Sequence, residues 1–177
     1  MYPFNNKSED IYCPYALVKK QNVEKFSIID KVGDFFTITP ITDSIYLSGF
    51  TGASNKSLFD KYNIKSVINC SKNISNYFED NNIVYLRVPI DDISGQHIEN
   101  YFSTTFDFID LSIRNNKNIL VHCHAGMSRS VTILIAYFMK KNNWDYNTSY
   151  NFIKSKRTIA NPNNDFINSL KNYDFKG

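Results

Sequence analysis

Runs of apolar and polar positions divide the chain into short strands and longer helices. Asn118-Ile119-Leu120-Val121 is apolar and short enough for a buried strand. Val131 to Met139 is apolar and long enough for a buried helix. Upstream, Phe35–Ile38 and Ser44–Ser48 read as strands, with Pro40 and Thr42-Asp43 supplying turn chemistry between them. Lys56–Tyr62 carries a short helical pattern, and Lys65–Cys70 has the continuous apolar centre of a parallel strand buried on both faces. Val84–Val88 is a further strand, closed by Pro89 and followed by a loop over Asp91–Gly95. Ile98, Tyr101, Phe102, Ile109 and Ile113 recur at near-helical spacing and predict one long helix from Ile98 to Asn115. Asp145 is a suitable N-cap for a helix over Tyr146–Ser155, with Tyr150, Phe152 and Ile153 on its buried side. Arg157–Asn163 reads as a loop, and Asp165 can cap a final helix ending near Tyr173.

Strands alternating with helices predict an α/β fold, a mainly parallel central sheet flanked by helices on both faces. With no internal repeat and no linker, the expected organisation is one domain over residues 35–177 and an N-terminal extension over 1–34. The extension interleaves Tyr2, Tyr12 and Tyr15 with Pro3 and Pro14, and Ala16–Phe26 allows a short helix. It reads as a segment packed on the domain rather than as a docking or dimerisation arm.

The 177 residues, 42% hydrophobic and 21% charged, suit a globular domain with an ample core. No apolar run is long enough to span a bilayer. Met1–Asn6 lacks the basic lead and apolar stretch of a signal peptide. An intracellular, cytoplasmic protein is expected, with the nucleus also compatible. Three cysteines, Cys13, Cys70 and Cys123, cannot form a closed disulfide framework. Sequons such as Asn55-Lys56-Ser57 read as chance matches in an Asn-rich chain. A net charge of +3 mildly favours anionic substrates and is too small to argue nucleic-acid binding.

Between the Asn118–Val121 strand and the Val131–Met139 helix lies His122-Cys123-His124-Ala125-Gly126-Met127-Ser128-Arg129-Ser130. A tight loop entering a helix N-terminus turns backbone N–H groups inward and makes an anion cup. Gly126 can take positive φ and lets a ligand approach the backbone. Arg129, in the first helical turn, offers a planar fork that matches two phosphoryl oxygens. Cys123 would sit at the bottom, where positive surroundings favour a nucleophilic thiolate. Ser128 and Ser130 add hydroxyls, and Ser130 can reach the sulfur. The cup implies phosphoryl transfer to a thiolate, which needs an acid for the leaving group. Asp91 and Asp92, on a loop at a strand's C-terminal end, both qualify.

The sequence His-Cys-x-Ala-Gly-x-Ser-Arg-Ser resembles the signature loop of cysteine-dependent phosphatases, in the version of the dual-specificity branch. Weaker matches follow in order: Ser44–Gly49, Val67–Ser71, Val88–Asp92, Ala136–Met139, and Ser155–Arg157 through Pro162, Asn163 and Phe166. The resemblance covers roughly residues 41–173 and implies hydrolysis of phosphotyrosine, and of phosphoserine or phosphothreonine, through a phosphocysteine. It assigns Cys123 as nucleophile and gives the phosphate to Arg129 and the amides of His124, Ala125, Gly126, Met127, Ser128 and Arg129. It makes Asp92 rather than Asp91 the general acid, and lets Ser130 ease thiolate departure. It also implies that His122 holds the thiolate in place and that Asn163 and Arg157 support the loop from the C-terminal side. Its expected partner is a phosphorylated protein, with no metal or other cofactor, no nucleic acid and no membrane. His124 and Met127 shape the rim, and the absence of Lys from the loop argues against the inositol-lipid branch. Cys70 reads as a small core residue, the alternative being a disulfide with an oxidised Cys123. The rival functions are an RNA 5′-triphosphatase, which lacks a basic track for RNA, and a non-catalytic phosphoresidue-binding module. A sulfur-transferring enzyme is disfavoured by Asp92.

Overall fold

A computed structural model describes residues 33–175, so the helix expected over Ala16–Phe26 lies outside the described residues. One sheet runs through the molecule in the order β1-β2-β5-β3-β4. Its strands are β1 (Ile38–Pro40), β2 (Ile45–Ser48), β3 (Ile64–Asn69), β4 (Val84–Arg87) and β5 (Asn118–His122). Only the edge pairing of β1 with β2 is antiparallel; the other three are parallel. The helices of the described residues are α1 (33–36), α2 (Phe50–Ala53), α3 (Lys56–Lys61), α4 (Phe102–Arg114), α5 (Arg129–Asn142), α6 (Tyr146–Lys156) and α7 (Asn164–Asn172).

Alternation along the strands sorts side chains between two cores. In β5, Ile119 and Val121 join the larger core with Ile109 of α4, Ile133 of α5, Ile153 of α6 and Phe166 of α7. Leu120, between them, joins Ile38, Tyr46, Val67, Ala53 of α2 and Phe59 of α3 on the other face. Helices therefore cover both faces, as the alternating pattern predicts. Each fully buried Leu, Ile, Val or Phe contributes about 1.5–3 kcal/mol, so the central strands hold the sheet together. α5 is buried from Ser130 to Met139, which explains its all-round apolar sequence. No helix of the described residues is long and apolar enough to cross a membrane.

Four parallel strands end at Ser48, Asn69, Arg87 and His122 along one edge of the sheet. The segments that leave this edge, beginning at Gly49, Cys70, Val88 and Cys123, are thus brought together.

Several elements depart from the sequence pattern. Phe35 and Phe36 lie in helical α1, not in a strand, and both side chains are exposed; β1 begins at Ile38. Pro40 belongs to edge strand β1, where no ladder donor is needed. The turn is made instead by Thr42, whose Oγ1 accepts from the amides of Ser44 and Ile45 at 3.3 and 3.1 Å. The long helix starts as a 3-10 turn, Ile98–Tyr101, before α4. α7 is capped by Asn163, whose Oδ1 accepts from the Phe166 amide at 2.9 Å, rather than by Asp165. α3, α4 and α5 are each followed or closed by an asparagine at positive φ: Asn63, Asn116 and Asn143. Part of the chain's asparagine content thus serves helix ends.

Candidate active site

The loop from Cys123 to Ser128 leaves the end of β5 and enters α5. Its backbone carbonyls are tied outward. The His124 carbonyl accepts from the Phe50 amide at 2.9 Å and the Met127 carbonyl from the Asn161 amide at 2.7 Å. Those of Ala125 and Gly126 accept from Arg157 Nη2 at 3.1 Å and Nε at 2.6 Å. The Ser128 carbonyl accepts from the amide and hydroxyl of Thr132. In a planar trans peptide the next N–H points opposite to the carbonyl. The amides of Ala125, Gly126, Met127, Ser128 and Arg129 therefore face away from the scaffold and into the loop. The Gly126 amide verifies this by donating to Cys123 Sγ at 3.2 Å.

Cys123 is buried, and Ser130 Oγ donates to its sulfur at 3.2 Å from the first turn of α5. The sulfur thus receives two donors, which favour the thiolate form a nucleophile needs. Arg129 does not swing into solvent; its Nη1 donates to the Ile90 carbonyl at 3.2 Å and its Nε lies 3.6 Å from Asp92 Oδ2. That Nε is buried without a hydrogen-bond acceptor, which leaves a donor for an arriving oxyanion.

Of the two candidate acids, only Asp92 reaches the loop. Its Oδ1 accepts from Ser128 Oγ at 2.7 Å and from Asn163 Nδ2 at 2.8 Å. Asp91 points elsewhere, its Oδ2 lying 3.9 Å from Lys72 Nζ. Ser128, expected only as a further hydroxyl of the loop, thus holds the acid, and Asn163 does more than support the loop. Asn163 serves three groups: its amide N donates to Ser128 Oγ, its Oδ1 caps α7 and its Nδ2 holds Asp92.

Two features fix the loop from behind. Arg157 is completely buried and also donates to Thr39 Oγ1, tying loop, β1 and the α6 terminus together. Burial lowers its pKa, with the Asp34 and Cys123 charges opposing that shift. Gly126 sits at φ +66°, and a Cβ there would meet the Ser48 carbonyl at 2.5 Å and Arg157 Nη2 at 2.6 Å, so no side chain fits.

His122 is buried on β5, its Nδ1 3.4 Å from the Cys123 carbonyl and its Nε2 without a partner. Burial drops its pKa to about 4, with the Arg87 and Arg129 charges pushing the same way. Its ring contacts the loop backbone and makes no hydrogen bond to the sulfur. Cys70 is fully buried, and its thiol pKa is raised by that burial first and by the Cys123 charge second. In this structure it is a free cysteine within the larger core cluster. His124, exposed, and Met127, partly exposed, lie at the rim. A cavity of about 440 Å³ lies where Gly95 and Gln96, on the segment after Asp92, face Asp165 and Ser169 of α7, and no residue of the Cys123–Arg129 loop lines it. Among the described residues no group of three or more His, Cys, Asp or Glu side chains is arranged to hold a metal ion.

Fold and loop together define an α/β protein with a cysteine-centred oxyanion cup. Residues 45–176 match the family described as dual specificity phosphatase, catalytic domain. Dual specificity protein phosphatase 9 of Homo sapiens is 33% identical over 135 residues, 76% of this chain and 35% of that protein. Dual specificity protein phosphatase 1 of Arabidopsis thaliana is 36% identical over 134 residues, 76% of this chain and 67% of that protein. Among solved structures, DUSP15 superposes with a TM-score of 0.73 at 31% identity, covering 77% of this chain and 86% of that one. The chain belongs to the dual-specificity phosphatase family. It spans about a third of the length of the human curated relatives it matches.

Proposed function

We propose that the protein is a cysteine-dependent phosphatase acting on phosphotyrosine and on phosphoserine or phosphothreonine in proteins. The observation that carries this reading is the loop's orientation: carbonyls anchored outward, amides turned toward a sulfur that two donors already hold. Cys123 Sγ attacks phosphorus and the bond from phosphorus to the ester oxygen breaks. Asp92 gives its proton to the leaving oxygen, so a neutral hydroxyl departs. Arg129 and the amides from His124 to Arg129 hold the equatorial oxygens through the transition state. Water then attacks the phosphocysteine, Asp92 takes its proton, and phosphate leaves as the phosphorus–sulfur bond breaks. The Ser130 hydroxyl donates to the departing thiolate in that second step.

The reading includes a catalytic domain over 35–177 preceded by an N-terminal extension over 1–34. It also includes a cytoplasmic location, the nucleus offering the same reducing conditions for a thiolate. A non-catalytic binding module is the competing reading. It draws on a TM-score of 0.72 at 27% identity to the human tyrosine phosphatase-like serine/threonine/tyrosine-interacting protein. The presence of Cys123, Arg129 and Asp92 speaks against it. Turnover of phosphopeptides by wild type, abolished in Cys123→Ser with orthovanadate binding kept, is the expected result. No turnover by wild type would favour the module, and turnover only of a triphosphate-ended RNA would favour a triphosphatase.

A further inference from the structure

We infer that Phe50 and His124 form an aromatic wall at the mouth of the cup that selects phosphotyrosine over phosphoserine and phosphothreonine. The inference rests on the phosphatase reading and assigns its preferred substrate. Phe50 opens α2, one residue after Gly49, and a Cβ at Gly49 would lie 2.9 Å from the His124 carbonyl. The backbone is therefore packed directly against the loop. The Phe50 amide is bonded to that same carbonyl, so the residue cannot move without the loop. Its ring lies 5.0 Å from the His124 ring at 41°, a tilted aromatic contact.

Single exposed aromatics are ordinary on protein surfaces; position distinguishes this one. His124 directly follows the nucleophile in the chain, and Phe50 is tied to it by both a backbone hydrogen bond and the ring contact. Phe50 remains 39% exposed despite these contacts. At the other end of the loop, beside Asp92, Ile93 is 59% exposed. In phosphotyrosine the ester oxygen is bonded directly to an aryl ring, which places flat apolar surface just above the bound phosphoryl group. In phosphoserine that position holds a methylene and then the polar backbone, which gains little from a ring wall.

The test compares kcat/KM for two peptides of one sequence, carrying phosphotyrosine or phosphothreonine, in wild type, Phe50→Leu and Phe50→Ala. For Phe50→Ala the phosphotyrosine value should fall about fivefold, the worth of an aromatic contact beyond its buried area. Phosphothreonine turnover should change less than about twofold on the same grounds. Phe50→Leu keeps bulk near the loop and should lose part of the preference. Orthovanadate inhibition, unchanged in both variants, reports that the cup is intact. Parallel loss on both peptides in Phe50→Leu, or no loss on either in Phe50→Ala, overturns the inference while leaving the phosphatase reading standing. Absence of turnover in wild type would overturn that reading first, and the inference with it.

Discussion

At the scale of single residues the two acidic neighbours show how position decides chemistry. Asp91 and Asp92 share a loop and a composition, yet one faces Lys72 and the other accepts from Ser128 and Asn163 beside Arg129. Asp92→Ala should slow substrates with poor leaving groups by on the order of a hundredfold, with little effect on activated aryl esters. Asp91→Ala should leave both within about twofold, since it removes one partly exposed and poorly paired carboxylate. Measuring kcat across leaving groups checks this, and the reverse pattern would move the acid to Asp91. His122 makes a second residue-scale prediction, with a sign set by burial. Below its ordinary pKa of 6.5 the unfolded chain takes up a proton on this imidazole, while the folded chain refuses it down to about 4. The unfolded state therefore binds more protons across that window, and stability falls as pH drops through it. The loss approaches about 3 kcal/mol at its lower end. Urea unfolding of wild type and His122→Gln at pH 7 and pH 4.5 should show a stability difference that shrinks at the lower pH. A difference flat with pH would mean that the imidazole is not held neutral.

At the scale of elements, the first turn of α7 is coupled to the acid loop. Asn163 caps the helix with Oδ1 and holds Asp92 with Nδ2, while Asp165 Oδ2 accepts from the Gly95 amide at 3.0 Å. Asn163→Ser separates the two tasks. Serine caps about as well as asparagine, so stability should change by less than about 0.5 kcal/mol. Its short side chain cannot hold Asp92 in the same way, so kcat for poor leaving groups should fall several-fold while KM stays. Equal loss on all leaving groups, or a large drop in melting temperature, would make Asn163 a structural residue only. The element scale also shows what was legible in the sequence. Strands β3, β4 and β5 and helix α6 lie within one residue of their predicted bounds, while α5 begins two residues before and ends three residues after the apolar run Val131–Met139 that announces it. α2 was not legible, because Phe50-Thr51-Gly52-Ala53 is too short for a period and contains glycine. The Asn163 cap was hidden behind Asp165, which has the right chemistry two residues too late. The loop's chemistry was legible from Cys123, Gly126 and Arg129. Its fixation was less so: Phe50, Asn161 and Arg157, the last braced by Thr39, hold it through contacts that exist only once distant segments meet.

At the scale of the whole molecule the cup exists only in the folded chain. Its parts come from β5, α5, the Asp92 loop, the α6 terminus and the start of α2, five segments that the sheet's C-terminal edge brings together. An oxyanion that binds there binds the native state and not the unfolded chain, so it must raise stability by mass action. Orthovanadate at about a hundred times its dissociation constant should add about 2.7 kcal/mol. For a domain of this size that corresponds to a rise in melting temperature of roughly 5–10 °C. Cys123→Ser should retain most of the shift with inorganic phosphate, since amides and guanidinium remain. Arg129→Met should lose it, because the guanidinium whose buried Nε lacks an acceptor is gone while the stem's bulk is kept. Calorimetry with and without the anion checks each case. An undiminished shift in Arg129→Met would mean that the oxyanion binds elsewhere on a positively charged surface. Its loss, with the fold intact, ties anion recognition to the geometry of this loop.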